Sequence, residues 1–141
     1  MQRSANAVWT GDLKQGKGKI STQSGALKDA QYGFNTRFED GPGTNPEELI
    51  AAAHAGCFSM ALSLQLTEAG VTADSIRTTA NVTLDKDDSG FTITAVELKV
   101  NATIPGIDDQ KFQELANKTK DGCPVSKVLN AKITLIATLE T

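Results

Sequence analysis

The 141-residue sequence has few of the residues from which most metal and nucleotide sites are built. It contains two cysteines, one histidine, one tryptophan and one tyrosine. Cys57 and Cys123 form no C-x-x-C motif, and together with His54 they make a poor set of zinc ligands. The glycine-rich stretches lack the spacing of dinucleotide-binding and P-loop motifs. We therefore expect neither a metal nor a bound cofactor.

An excess of basic charge and an apolar N-terminal segment are also missing. The net charge is −3, which does not favour binding to nucleic acid. Residues 1–6 lack the apolar core of a signal peptide, so we expect a cytoplasmic protein. Disulfides rarely persist in that compartment, which leaves free thiols or a transient catalytic disulfide as the states of the cysteines.

The order of the predicted elements favours a single α+β domain over residues 1–141. Alternating residues and turn signals predict a small antiparallel sheet in the first 40 residues. The second half is predicted to contain a hairpin, two helices and a last strand. Their expected ranges are 78–84 and 91–104 for the hairpin, 108–120 and 124–129 for the helices, and 131–139 for the strand.

Between these halves, a long helix is predicted over residues 46–69. Asn45 is a good N-cap, and Pro46 suits the first helical position. Glu48 lies three residues after the cap, as in a capping box, and Gly70 is a natural stop.

Most of this helix, residues 49–66, carries no formal charge. Polar side chains within the stretch and carboxylates at both ends argue against a membrane span. A helix that is apolar nearly all round is instead expected to be buried on nearly all sides. We expect a second subunit to cover it in a homodimer; the alternative is the central core helix of a monomer.

The two cysteines have different settings. A lone cysteine in an apolar helix, such as Cys57, usually serves packing. Cys123 stands directly before Pro124, where the start of a short helix favours the thiolate. These settings leave inert thiols and a two-cysteine redox enzyme both open.

Four sequence motifs carry a resemblance to a known family. They are Tyr32-Gly33-Phe34-Asn35-Thr36-Arg37-Phe38, Gly43-Thr44-Asn45-Pro46-Glu47-Glu48-Leu49-Ile50, Ala52-Ala53-His54-Ala55-Gly56-Cys57-Phe58-Ser59-Met60-Ala61 and Gly122-Cys123-Pro124-Val125-Ser126. The chain resembles the osmotically inducible protein C / organic hydroperoxide resistance (OsmC/Ohr) family over nearly its whole length, and the first motif resembles the OsmC branch.

The resemblance implies a fold, an activity and a site. The fold would be two small antiparallel sheets with a long central helix buried in an intertwined dimer. The activity would be a thiol peroxidase that reduces organic hydroperoxides, and inorganic ones less well, in stress defence. Cys57 would be the peroxidatic cysteine, Cys123 the resolving cysteine, Arg37 the activating arginine and Glu47 its carboxylate partner. A dithiol such as a lipoylated protein would reduce the Cys57–Cys123 disulfide.

The chemistry of peroxide attack suits these residue types. The reaction needs a thiolate, whereas burial raises the pKa of a thiol, so a cation has to reach the Cys57 sulfur. Arg37 is always charged and can face a sulfur and a carboxylate together. Glu47 and Cys57 are ten residues apart on one helix, roughly 15 Å along its axis. We therefore expect groups from two chains to converge at each site of a dimer.

Two other functions remain possible from the residues alone. One is a non-catalytic dimeric binding protein for a lipid-like ligand, in which the cysteines are incidental. The other is a thiol-dependent hydrolase or disulfide reductase, since His54 lies one turn before Cys57. Packing, or a hydrogen bond to the partner chain, is the simpler role for His54. An apolar lining from Phe58 and Met60 would favour alkyl hydroperoxides.

Overall fold

The computed structural model of the protein describes residues 1–140 and shows an α+β fold. Two three-stranded sheets and one long helix are present, as predicted. The chain divides into two compact units, residues 1–49 and the residues from Ile50 onward. In chain order the elements are β1 Ala5–Thr10, β2 Lys17–Thr22, β3 Ala30–Tyr32, α1 Phe34–Phe38, α2 Pro46–Glu68, β4 Ser75–Asp87, β5 Gly90–Thr103, α3 Asp109–Gly122, α4 Pro124–Val128 and β6 Lys132–Glu140.

The first unit contains the antiparallel sheet β1-β2-β3, as predicted. The segment that follows β3 differs from the prediction, because residues 34–38 form the short helix α1 and do not continue the sheet. Thr36 explains this difference. Its hydroxyl accepts the Gly33 N–H at 2.8 Å and donates to the Gly33 carbonyl at 2.9 Å. Such local bonds compete with a strand ladder and favour a helical start.

The loop before α2 requires a glycine. Gly43 has a φ of +128°, and a Cβ there would lie 2.4 Å from the Gln31 carbonyl oxygen. That same oxygen accepts the Thr44 N–H at 2.8 Å. The loop is thereby held against the end of β3, and the chain enters α2 from a fixed position.

The start of α2 has the predicted N-cap, but the Glu48 carboxylate bonds to Thr44 and does not complete a capping box. Asn45 Oδ1 accepts the Glu48 N–H at 2.8 Å, which makes Asn45 the N-cap, and Pro46 is the first helical residue. The Glu48 carboxylate accepts the Thr44 hydroxyl at 2.6 Å. The helix ends at Glu68, and Gly70 follows with a φ of +81°, the left-handed conformation typical of a helix stop.

Burial along α2 is restricted to one stripe within the chain. In the second unit the fully buried side chains of the helix are His54, Phe58, Leu62 and Leu66, which recur every four residues and so lie on one face. Elsewhere on the helix Met60 is 78% exposed. The expected burial on nearly all sides is therefore not reached within one chain. By length and composition alone, the helix could also cross a membrane.

The second unit contains the sheet β4-β5-β6. β4 and β5 form the predicted hairpin, but β6 runs parallel to β5, so this sheet is mixed and not purely antiparallel. The two helices α3 and α4 connect β5 to β6, and a crossover of that length permits a parallel neighbour. Alternate residues of β5 pack with α2 and α3 in one core, which includes Val96, Leu98, Val100, Phe112 and Leu115.

Candidate active site

Arg37 and Glu47 form an ion pair within the first unit. Arg37 lies on α1 and Glu47 on the first turn of α2. The guanidinium donates to Glu47 Oε1 from Nη2 at 2.7 Å, and from Nε to both oxygens at 3.1 and 3.2 Å. Glu47 is only 8% exposed, whereas the Arg37 side chain is 36% exposed. The carboxylate therefore fixes the guanidinium and leaves part of it accessible.

The local sequence explains how this pair is held. The Asn45 side chain caps α2 and also donates from Nδ2 to the Thr36 carbonyl at 3.0 Å, which ties α1 to the start of α2. Glu48 is engaged with Thr44, which leaves Glu47 as the carboxylate for Arg37. Glu47 is thus paired with Arg37, the partner that the family resemblance implies.

A small apolar cavity of about 70 Å³ lies beside the arginine in the first unit. Aromatic rings dominate its wall, and its lining includes Trp9, Tyr32, Phe34, Phe38 and Arg37. The cavity can accept a few apolar atoms next to a guanidinium.

Cys57 and Cys123 are brought together in the second unit, although 66 residues separate them in the chain. Cys57 lies on α2, and Cys123 is the C-cap of α3 and the N-cap of α4. Their sulfurs share a hydrogen bond at 3.1 Å, and both are free thiols. The distance is longer than the roughly 2.05 Å of a disulfide bond, so a small movement would allow the bond to form.

The burial of the two sulfurs differs from the sequence interpretation. Cys57 is only partly buried, whereas Cys123 is completely buried. Cys57 lies beside the buried stripe of α2 and not on it, whereas Cys123 ends α3 against the core. Cys57 is therefore the more accessible of the two thiols.

The two pKa values move in opposite directions. Burial raises the pKa of Cys57, and the neighbouring Cys123 raises it further, although the Val125 N–H opposes this. Burial also acts to raise the pKa of Cys123. Interactions with the Ser126 N–H, the Cys57 side chain, the Val125 N–H and the Ser126 hydroxyl outweigh that effect, and the pKa of Cys123 is lowered.

The helix start at α4 supplies these hydrogens without a regular cap. No side-chain cap hydrogen bond is formed at Cys123. The N–H groups of Val125 and Ser126 therefore act on the sulfur as nearby dipoles. This helix start therefore favours a thiolate at Cys123.

An open apolar groove of about 410 Å³ adjoins Cys57 in the second unit. Its lining residues are Cys57, Met60, Ala61, Leu64 and Pro124. The sequence interpretation placed Phe58 in this lining, which is wrong, because Phe58 is fully buried in the core. The next residue on a helix points about 100° away, and here Phe58 points into the core while Cys57 borders the groove.

His54 has a partner that the sequence did not reveal. Its Nε2 lies 2.7 Å from the Ser126 hydroxyl on α4. The ring is completely buried, Nδ1 has no hydrogen-bond partner among the described residues, and burial lowers the pKa of His54. No local signal in the sequence could have predicted this contact, because 72 residues separate the two side chains.

The arrangement suits thiol redox chemistry. Each of the two predicted pairs is formed within its own unit: arginine with carboxylate, and cysteine with cysteine. Within residues 1–140, no group of three or more His, Cys, Asp or Glu side chains could hold a metal ion. Two thiols that are close enough to form a disulfide can carry two electrons between an oxidant and a reductant without a cofactor.

Comparison with known proteins identifies the relatives of this chain. The model of the OsmC-like protein family matches residues 39–137, which include Glu47, Cys57 and Cys123. The chain is 59% identical over 135 residues to Peroxiredoxin OsmC of Escherichia coli, covering 96% of this chain and 94% of that protein. It is 36% identical over 117 residues to the organic hydroperoxide resistance protein OhrB of Bacillus subtilis, covering 82% and 84% of the two chains.

The fold leads to the same relatives. The crystal structure of Bacillus subtilis OhrB superimposes with a TM-score of 0.73 at 34% identity, covering 97% of this chain and 98% of that one. Sequence, fold and the cysteine pair agree with the resemblance noted in the four motifs. The chain belongs to the OsmC-like protein family.

Proposed function

We propose that the protein is a cysteine-based peroxidase that reduces organic hydroperoxides, and inorganic ones less well, in stress defence. The observation that carries this proposal is the 3.1 Å approach of the Cys57 and Cys123 sulfurs. Membership of a family whose members include Peroxiredoxin OsmC and organic hydroperoxide resistance proteins supports it.

In the proposed cycle Cys57 is the peroxidatic cysteine. Its thiolate attacks the distal peroxide oxygen, the O–O bond breaks, and the alkoxide takes a proton and leaves as an alcohol. Cys57 is then a sulfenic acid. The Cys123 thiolate attacks that sulfur, the S–O bond breaks, and the oxygen leaves as water after taking a proton. The resulting disulfide is reopened by exchange with an external dithiol, which a lipoylated protein could supply.

Arg37 is proposed to activate the Cys57 thiolate and the peroxide, with Glu47 as its orienting partner. The need for a cation follows from the raised pKa of Cys57. The partly exposed guanidinium, fixed by a buried carboxylate, is suited to that role.

A homodimer is proposed as the working form, with the arginine pair of one chain serving the cysteine pair of the other. The exposed face of α2 supports the dimer, because it presents Met60 and Leu64 at 78% and 56% exposure. Contiguous apolar surface of this kind is typical of interfaces. We also propose that residues 1–141 act as one functional domain, although the chain folds as two compact units.

The preference for organic peroxides is supported by two apolar features. The groove beside Cys57 and the aromatic cavity beside Arg37 are each able to accept alkyl groups. Hydrogen peroxide gains nothing from such surfaces, whereas an alkyl chain gains by leaving water. The family relationship supports a soluble protein, and we propose the cytoplasm as its location.

The alternative, a dimeric binding protein for a lipid-like ligand, is less favoured. It treats the cysteines as incidental, and two incidental thiols have no reason to lie 3.1 Å apart across 66 residues. A hydrolase is disfavoured for a different reason: His54 points its Nε2 at Ser126, and not at Cys57.

The test is peroxide consumption with a dithiol reductant, comparing cumene hydroperoxide with hydrogen peroxide. Cys57→Ser is expected to abolish turnover, whereas a binding protein would keep its ligand affinity. Cys123→Ser is expected to consume about one peroxide per subunit and then fail to cycle by a disulfide. Undiminished turnover in Cys57→Ser would reject the proposed function, and normal cycling in Cys123→Ser would reject the resolving role.

A further inference from the structure

A polar path leads in the second unit from His54 to the helix that begins at Cys123. His54 Nε2 lies 2.7 Å from the Ser126 hydroxyl. Ser126 is the third residue of α4, and Cys123 is the N-cap of the same helix. A side chain at the third helical position points back towards the N-cap residue. The Ser126 hydroxyl also contributes to the lowered pKa of Cys123, which agrees with a hydroxyl close to the sulfur.

The direction of the hydrogen bonds along this path follows from the histidine ring. If Nε2 accepted the Ser126 hydrogen, Nδ1 would carry the ring proton and would be a buried N–H without an acceptor among residues 1–140. Buried N–H groups without an acceptor are rarer than acceptors without a donor. If Nε2 carries the proton, it donates to Ser126, and the unpartnered Nδ1 is a lone pair.

A charged ring fits the site less well than a neutral one. Imidazolium would bury a positive charge and two donors, and the donor on Nδ1 has no partner in the part of the chain that the structure describes. Burial lowers the pKa of His54 in agreement with this. His54 therefore acts as a neutral donor, and not as a proton store.

We infer that His54 is a positioning residue for the resolving cysteine. Its Nε2–H occupies a lone pair of the Ser126 hydroxyl, so that the hydroxyl hydrogen faces the Cys123 sulfur. The effect is to hold Cys123 ready as a thiolate for attack on oxidised Cys57. This inference rests on the proposed function for the meaning of that thiolate, but the hydrogen-bond path itself can be tested without any peroxide.

The test uses the Cys57→Ser protein as the parent, because Cys123 is then the only thiol in the chain. The ultraviolet absorbance of its thiolate is titrated against pH, and the rate of alkylation is measured at neutral pH. Three variants are added singly: Ser126→Ala, His54→Gln and His54→Asn. Glutamine and asparagine carry the same amide, but only glutamine places an N–H where His54 has Nε2.

Ser126→Ala is expected to raise the proton affinity of the sulfur about tenfold, the size of one hydrogen bond to a charged group. His54→Asn is expected to raise it several-fold, since the hydroxyl is then free to turn away, and His54→Gln to stay within about twofold of the parent. His54→Asn should have no further effect once Ser126 is alanine, because residues that act through one path are not additive.

Several results would overturn the inference. The first is an unchanged thiolate titration in Ser126→Ala. The second is equal titrations in folded His54→Gln and His54→Asn. The third is an additional effect of His54→Asn in a protein that already carries Ser126→Ala. If His54→Asn does not fold, His54→Met replaces it, because it fills the space of the ring without an N–H. That variant has to raise the proton affinity of the sulfur, while His54→Gln has to match the parent. A protein without peroxidase activity would still give these titrations, so the two failures are distinguishable.

Discussion

Replacing Glu47 by glutamine tests whether the buried carboxylate serves Arg37 or only the start of the helix. Glu47 and Glu48 are adjacent in the first turn of α2, where either charge favours the helix dipole. Only Glu47 contacts Arg37, whereas Glu48 is exposed and bonds to Thr44. Glu48→Gln is therefore the matched control, because it removes the same dipole contribution and leaves the ion pair intact.

The expected magnitude follows from the contacts. Glu47 accepts three contacts of 2.7, 3.1 and 3.2 Å from Arg37, and glutamine retains one acceptor oxygen. One charge-assisted hydrogen bond is lost, worth about 1.5–3 kcal/mol when buried. Because the Arg37 side chain is 36% exposed, solvent reduces the loss to about 1–2 kcal/mol. We expect a fall in Tm of about 3–6 °C relative to Glu48→Gln.

Activity should fall more clearly than stability. A guanidinium that is no longer fixed loses its orientation towards the proposed thiolate. If the transition state loses about 1.4 kcal/mol of stabilisation, kcat/KM falls about tenfold. Urea unfolding and steady-state reduction of cumene hydroperoxide measure the two effects. If Glu47→Gln and Glu48→Gln behave alike in both assays, the carboxylate serves the helix dipole and the proposed orienting role is refuted.

Three further predictions concern a titrating group, a surface and a turn. Burial lowers the pKa of His54, so below about pH 6.5 the unfolded chain binds a proton that the folded chain does not. The free energy of unfolding should therefore decrease as the pH falls from about 7.5 to about 5.5. The decrease should be smaller in His54→Gln. Equal decreases in the two proteins, measured by urea unfolding at each pH, would contradict this. Met60→Glu is expected to yield a folded monomer by light scattering, since Met60 is 78% exposed in one chain, and an unchanged mass would place the interface elsewhere. Gly43→Ala should destabilise the fold by about 1–3 kcal/mol, because φ is +128° and the added Cβ would meet the Gln31 carbonyl oxygen. Gly25→Ala should cost less, because φ is +80° and the added Cβ would meet no atom. Equal costs would show that the carbonyl contact at Gly43 is relieved.

The start of α2 could be predicted in detail from the sequence because its determinants are local. Asn45 and Pro46 act within one turn and have the expected places, whereas the Glu48 carboxylate bonds to Thr44. The short helix α1 was missed, although Thr36 alone explains it. Residues 34–38 follow a predicted strand, and this context outweighed the single side chain of Thr36 in the sequence interpretation. A threonine three residues after a glycine is too common to decide between a strand and a helix.

The relative burial of the two cysteines could not be predicted, because it depends on packing between distant elements. Both stand next to residues that the core buries. Cys57 and Phe58 are neighbours on α2, yet Phe58 is fully buried and Cys57 is not. Packing against α3 and β5 determines which side of α2 faces the core. The His54–Ser126 contact depends on the same packing, since it joins α2 to α4. The family resemblance named the residues for the chemistry but gave no role to His54. Only the packing of α2 against α4 shows that its partner is Ser126.

The acidities of the two thiols indicate when a cation is needed in the proposed cycle. In the second unit the pKa of Cys57 is raised and that of Cys123 is lowered, so the reduced pair favours a thiol at the position that has to attack the peroxide. The first step therefore requires a positive charge to move the thiolate to Cys57, and Arg37 is the proposed source. Once Cys57 is oxidised, the second step needs a thiolate at Cys123. The start of α4 and the Ser126 side chain already favour that thiolate. On this reasoning, loss of Arg37 should slow sulfenic acid formation while it leaves disulfide closure nearly unchanged, and loss of the Ser126 hydroxyl should do the reverse.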